Sequence, residues 1–224
     1  MVACNMRFHP AAGIVKQLVD KGDLGKLHFM HSEYGYYLPY QRPGVDYKKV
    51  YAAHDDEGGI ILDAIHEINL MRWLSGEVIE SDCWGHNSGS LEITGFDTAF
   101  LLLKFANNTM GEIRLDYLQK AKRRFYEYVF EKGTILWESS GKNPEYCEVK
   151  LYDDASKKWE TIYKNSEYDV NEMFVKQQEY FLECVSEKKD TFNTAWDGYR
   201  DLEASLELKR KAKERGSKDI GTKA

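Results

Sequence analysis

Apolar positions along the chain change their period several times, and each change marks an element. Residues 2–4 are apolar and read as a short strand. Pro10 then stands at a first helical position, and Ile14, Val15, Leu18 and Val19 repeat at helical spacing until Gly22 caps the run. From 26 to 38 the pattern is that of an aromatic-rich strand, with Leu27, Phe29, Met30, Tyr34 and Tyr36. Residues 39–56 show no period and carry Pro39, Pro43 and Gly44, which predicts a long loop of a length usually kept for function. Gly58 and Gly59 open a helix predicted over 60–75 and closed by Gly76, apolar nearly all round and therefore buried on most sides.

Seven short strands are predicted next, at 78–86, 97–105, 110–118, 124–131, 134–138, 147–152 and 158–163. Asn107-Asn108, Lys132-Gly133 and the run 153–156 supply turns between them. The chain becomes helical again after that. Met173, Phe174, Tyr180, Phe181, Cys184 and Val185 form one stripe, and Tyr199, Leu202 and Leu206 another. Strands in series with helices before and after predict a single α+β domain over 1–216, a largely antiparallel open mixed sheet with helices on one face. A polar tail, 217–224, is expected to fray.

The 224 residues suffice for a real core, since a chain near this size buries roughly 70 % of its unfolded surface. Net charge is −6, which argues against a nucleic-acid partner; of two local basic runs, 120–124 and 209–213, the second is interleaved with Glu207 and Glu214 and reads as a solvated helix face. No apolar run approaches membrane length, and the N-terminus lacks the pattern of a signal peptide. The four scattered cysteines, Cys4, Cys83, Cys147 and Cys184, suit a reducing cytoplasm.

Cofactor motifs are absent: there is no G-x-G-x-x-G after a strand, no P-loop, no nucleophile elbow and no H-E-x-x-H. The sharpest candidate chemistry is Asp63 with His66, three apart and so stacked on one helical face, within an otherwise apolar helix. Either the pair is structural, a first-turn carboxylate and a satisfied core histidine, or His66 is an acid/base group working beside Asp63. A metal set of His54, Asp63 and His66 with Glu57 or Glu67 matches no recognised spacing. Tyr34, Tyr36, Tyr37, Tyr40, Tyr47 and Tyr51 with Arg42 run from the strand into the long loop, residue types that stack on sugar rings and hold hydroxyls or a phosphate. Asn5 and Arg7 sit where the first strand gives way to the first helix.

Several of these pieces recur together in one family. Asn5-x-Arg7-Phe8-x-Pro10, then Lys21-Gly22-Asp23-Leu24-Gly25, then Gly58-Gly59-x3-Asp63-x2-His66-Glu67-x-Asn69, then Arg72-Trp73-Leu74-x-Gly76 follow in this order. Residues 131–138 and the late helix from Glu172 to Glu187 agree. The chain resembles the C-terminal part of the Gfo/Idh/MocA family, named for glucose–fructose oxidoreductase and inositol dehydrogenase. The resemblance implies an NAD(P)-dependent oxidoreductase of sugars, polyols or their derivatives, whose N-terminal Rossmann half, with its Glu-Lys-Pro lysine, lies outside this chain. It further implies His66 as the acid/base residue and Asp63 as a substrate-facing carboxylate. Arg7, Tyr47, Arg42 and Tyr36 become substrate contacts, Asn5 lies near the cofactor, and no metal is involved. The Asp-to-His spacing here is three where the family's commoner spacing is four. By the same likeness the sheet packs against a second copy in a homodimer or homotetramer, and the chain alone is expected to bind no NAD or NADP and to be inactive. The competing class is a non-catalytic sugar-binding or oligomerisation module in which Asp63 and His66 are structural.

Overall fold

The structure, a computed structural model, describes the backbone over residues 1–221 and side chains as far as residue 216. Helices α1 (Pro10–Lys21), α2 (Leu38–Gln41), α3 (Ile60–Asp63), α4 (Ile65–Ser75), α5 (Asn171–Glu187) and α6 (Ala195–Gly221) accompany strands β1 (Leu27–Tyr37), β2 (Val78–His86), β3 (Thr98–Phe105), β4 (Met110–Asp116), β5 (Leu118–Phe130), β6 (Gly133–Ser140), β7 (Glu145–Asp153) and β8 (Lys158–Tyr168). The strands make one eight-stranded sheet in the order β2-β3-β4-β1-β5-β6-β7-β8. The class is α+β, as expected.

All neighbouring strands pair antiparallel except β1 and β4, which run parallel from Phe29↔Met110 to Gly35↔Asp116. That insertion of β1 between β4 and β5 brings the ends of two distant strands side by side, and Tyr36 and Tyr117 follow immediately. Strand residues alternate as a half-covered sheet requires. Ala99, Leu101, Leu103 and Phe105, Ile113 and Leu115, Tyr126 and Tyr128, and Ile135 and Trp137 are buried beneath helices, whereas Phe100, Leu102 and Met110 on the other face are exposed.

Four expectations are corrected. Residues 2–4 are not a strand: Val2 exchanges bonds with Asn193, its amide donating to the Asn193 carbonyl at 2.9 Å, which ties the chain start to the α5–α6 link. The loop predicted over 39–56 holds α2 and two short 3-10 turns, Tyr47–Lys49 and Tyr51–Ala53. The helix predicted over 60–75 is two helices, broken at Ala64 (φ −97°, ψ 25°). Backbone helix also continues through the expected fraying point to Gly221; residues 222–224 of the predicted tail lie outside those described.

The late helices carry the stripes their period predicts, but only Met173 and Cys184 of those residues are buried. Phe174, Phe181 and Val185 on α5, and Tyr199, Leu202 and Leu206 on α6, are exposed, with Leu182 and Trp196 beside them. An apolar face of that extent exceeds what isolated surface hydrophobes explain.

Candidate functional site

Two glycines shape the entrance to α3. A Cβ on Gly58 would stand 2.7 Å from the Tyr51 carbonyl oxygen, and Gly59 adopts φ +84°, a conformation that side chains disfavour. Lys209 from α6 reaches over this loop, and its ammonium donates to the Gly58 carbonyl at 2.9 Å. The single turn of α3 then presents Asp63 to the ends of β1 and β4. The Tyr36 and Tyr51 hydroxyls donate to its two oxygens, and the Tyr117 hydroxyl adds a third bond at 3.3 Å.

Burial, reinforced by the Asp63 charge, holds all three phenols far above their ordinary pKa, so each remains a donor. With the hydroxyl hydrogens committed to Asp63, the phenol oxygens have only lone pairs left to offer. The wall therefore presents acceptors. It borders a cavity of about 100 Å³ lined among others by Tyr36, Arg42, Tyr47, Tyr51 and Asp63.

The break at Ala64 separates Asp63 from His66, and among the described residues no hydrogen bond joins them. His66 occupies the first turn of α4, outside the cavity wall, with its Nδ1 buried and unpartnered. Burial and the charge of Arg124 lower its pKa; Glu67, Asp63 and Asp201 pull the other way without cancelling them. The imidazole is thus neutral at neutral pH.

Beneath it lies a buried ion pair. Arg124 on β5 donates through Nε to Glu67 Oε1 at 3.0 Å, Ser32 donates to the other Glu67 oxygen at 2.8 Å, and the guanidinium lies 3.9 Å over the Tyr34 ring. The run 120–124 thus spends its charge inside the sheet and on its rim, where Lys122 pairs with Glu145 and Arg123 with Glu138.

Arg7 is placed elsewhere. It is buried, donates through Nε to Asn69 Oδ1 at 2.9 Å, and stacks 5.2 Å from Trp73. Asn69 donates to Asp201 at 2.6 Å, and Asp201 also receives Arg72, so Arg7 belongs to a network joining α4 to α6. Asn5 is half-buried at the head of the 3-10 turn Asn5–Phe8. The structure thus gathers Tyr36, Arg42, Tyr47 and Asp63 around one cavity and leaves Asn5, Arg7 and His66 off its wall. Among the described residues no three His, Cys, Asp or Glu side chains converge as metal ligands, so His54, Asp63 and His66 form no such set.

Tyr117 belongs to the site and its sequence position gave no sign of it, because only the parallel β1–β4 pairing places it beside Tyr36. His9 is a second residue with an unforeseen role. It caps α1, accepting from the Ala11 amide through Nδ1 at 3.2 Å, and its Nε2 donates to Glu145 at 3.1 Å. Both nitrogens are used by the neutral tautomer, and burial lowers its pKa.

His9 and His66 give a pH dependence of definite sign. Their folded pKa values lie below the 6.5 of an ordinary histidine, so below pH 6.5 the unfolded chain binds more protons. The stability they contribute is complete above about pH 6.5 and is lost as pH falls toward their folded values. The midpoint of urea unfolding is expected to drop between pH 7.5 and pH 5.5, and less steeply in His9→Asn. A flat profile over that range would contradict neutral burial of both rings.

A family model described as the GFO/IDH/MocA C-terminal domain matches residues 14–136. The chain belongs to the GFO/IDH/MocA family. Members similar to it include the uncharacterized oxidoreductase YrbE of Bacillus subtilis, 26% identical over 208 residues, which cover 88% of this chain and 56% of that protein. The aldose-aldose oxidoreductase of Caulobacter crescentus, solved with glycerol, superposes with a TM-score of 0.76 at 17% identity, covering 96% of this chain and 62% of that one. Levoglucosan dehydrogenase, solved with NADH and L-sorbose, gives 0.77 at 16% identity, covering 96% and 64%. At these identities the structures establish the shared fold. The chain spans 56–64% of the length of these GFO/IDH/MocA relatives.

Proposed function

We propose that this chain is the substrate-side domain of an NAD(P)-dependent oxidoreductase acting on a carbinol carbon of a sugar, polyol or sugar derivative. The observation that carries the reading is His66, a half-buried neutral imidazole whose buried Nδ1 has no partner among the described residues. Such a nitrogen fits a substrate hydroxyl better than it fits a packed core, where a buried polar atom left unpaired costs about 1–3 kcal/mol. Structural neighbours solved with NADH, L-sorbose and glycerol support the same class.

In this reading the hydroxyl proton passes to His66 as the carbon–hydrogen bond gives up its electron pair as hydride. NAD(P), when bound, supplies the hydride acceptor. Of this chain's residues, Asn5 is the one we place against it. Tyr36, Tyr47 and Tyr51 hold the remaining hydroxyls, with Asp63 keeping Tyr36 and Tyr51 in place; Arg42 borders the same cavity. Arg7 acts by holding α4 against α6.

The exposed stripes of α5 and α6 are the surface we assign to a nucleotide-binding domain, since this chain matches only part of its relatives' length. We assign the outer sheet face, with Phe100, Leu102 and Met110 exposed, to a second copy in a homodimer or homotetramer. Four unpaired, buried cysteines fit the cytoplasm, and among the described residues no helix is long and apolar enough to cross a membrane.

The purified 224-residue chain is expected to show no NAD(P)H-linked turnover of hexoses or polyols. The natural polypeptide that carries it is expected to turn them over. A rate from the isolated chain overturns the need for a further domain, and no activity from the natural polypeptide on any sugar or polyol overturns the oxidoreductase reading.

A further inference from the structure

The cavity wall holds two charged residues with opposite fates. Asp63 is saturated by phenols, whereas the Arg42 guanidinium has no hydrogen bond or ion pair among the described residues. The loop that carries it is nevertheless fixed. Lys142, from the turn between β6 and β7, donates its ammonium to the Tyr40 and Gln41 carbonyls, the latter at 2.9 Å, and the Val45 amide closes on the Arg42 carbonyl at 3.1 Å.

Lys120, on β5, reaches over the same loop, its ammonium 2.9 Å from the Tyr37 ring centre and 5.8 Å from that of Tyr40. Neither lysine has a carboxylate partner among the described residues, although the chain carries an excess of acid, with net charge −6. Arg42 on the cavity wall, Lys142 against the carbonyl of the adjoining Gln41 and Lys120 over Tyr37 thus bring three cations to one loop with no carboxylate partner among the described residues.

Their chemistry is one-sided. A guanidinium offers five donors in a planar fork and no acceptor, and the fork matches a carboxylate or phosphate bidentately. Lys142 has two of its three donors engaged by carbonyls, leaving one. Arg42 and Gln41 line the cavity beside Tyr36, Tyr47 and Tyr51, and Lys142 bonds the Gln41 carbonyl, so a sugar entering the cavity passes these donors.

We propose that the substrate of this site is an anionic sugar or sugar derivative, whose carboxylate or phosphate is received by Arg42 with Lys142 and Lys120 while its hydroxyls meet the tyrosine oxygens. The inference rests on the sugar reading of the cavity given above. It assigns the outer rim a charge selectivity that the tyrosine wall alone does not provide.

The test is cofactor-free binding to the purified chain, followed by amide chemical-shift titration with D-glucuronate, D-glucose 6-phosphate and D-glucose at fixed ionic strength. At least one anion is expected to bind about tenfold or more tighter than glucose, and the tighter of the two tells carboxylate from phosphate. Arg42→Gln, an exposed loop change, is expected to weaken binding of the preferred anion about tenfold or more and so to erase most of that preference. Raising salt from 50 to 500 mM is expected to narrow the gap. Glucose binding as tightly as both anions, or a preference that survives Arg42→Gln with Lys142→Gln, overturns the anionic class and leaves the sugar reading standing. Failure of all three ligands to bind overturns both.

Discussion

Arg124→Met is expected to lower the free energy of unfolding by about 3–5 kcal/mol, the largest loss of stability from any single change considered for this chain. Glu67 is fully buried and Arg124 nearly so. Removing the guanidinium leaves the Glu67 carboxylate with the Ser32 hydroxyl bond and no opposing charge in contact among the described residues. Two buried ions at 3.0 Å repay much of each other's desolvation; one alone cannot. The double variant Arg124→Met with Glu67→Gln removes both charges and keeps a side chain that can still bond Ser32, so it is expected to recover at least half of the loss. Urea unfolding of the three proteins measures this. A single-variant loss under 1 kcal/mol would mean that water reaches the pair.

The same pair has a second consequence, because Glu67 adjoins His66 on α4 and Arg124 depresses the His66 pKa. Arg124→Met should therefore raise the His66 titration midpoint toward 6.5, and Glu67→Gln should lower it. Stability and protonation at this helix start are governed by one ion pair.

Much of the fold was legible because it rests on period. The short apolar segments of β3, β6 and β7 and the stripe of α1 marked elements whose structural bounds differ by only a few residues. Order within the sheet was not legible, since the β1–β4 pairing joins segments some 80 residues apart and no local signal encodes it. Tyr117 was invisible for that reason. The break at Ala64 escaped because Ile60 to Ser75 is apolar enough to read as one buried helix, while the bonds that fix Asp63 come from Tyr36, Tyr51 and Tyr117. Arg7 shows the converse. Its motif with Asn5 pointed to a ligand, and the structure gives it Asn69 and Trp73. The α5 and α6 stripes kept their period but not their burial, because burial depends on what else packs against them.

The catalytic reading stands on His66. An acid/base residue contributes about 10²–10⁴-fold, whereas a histidine that only packs contributes through stability and leaves the rate of the folded protein nearly intact. Asn keeps a polar side chain of similar reach but cannot take up a proton near neutral pH. His66→Asn in the natural polypeptide is therefore expected to fold with an unchanged far-ultraviolet spectrum and lose at least 100-fold in kcat/KM. The wild type should lose activity on the acid side below pH 6.5, where its lowered pKa places the titration, and the variant should lose that limb. The decisive measurement is kcat/KM for NAD(P)-linked sugar oxidation against pH, wild type beside His66→Asn. A loss of 100-fold or more with disappearance of the acid limb is the expected result. A variant within a few-fold of wild type, with the limb retained, would contradict the account and leave His66 a structural residue.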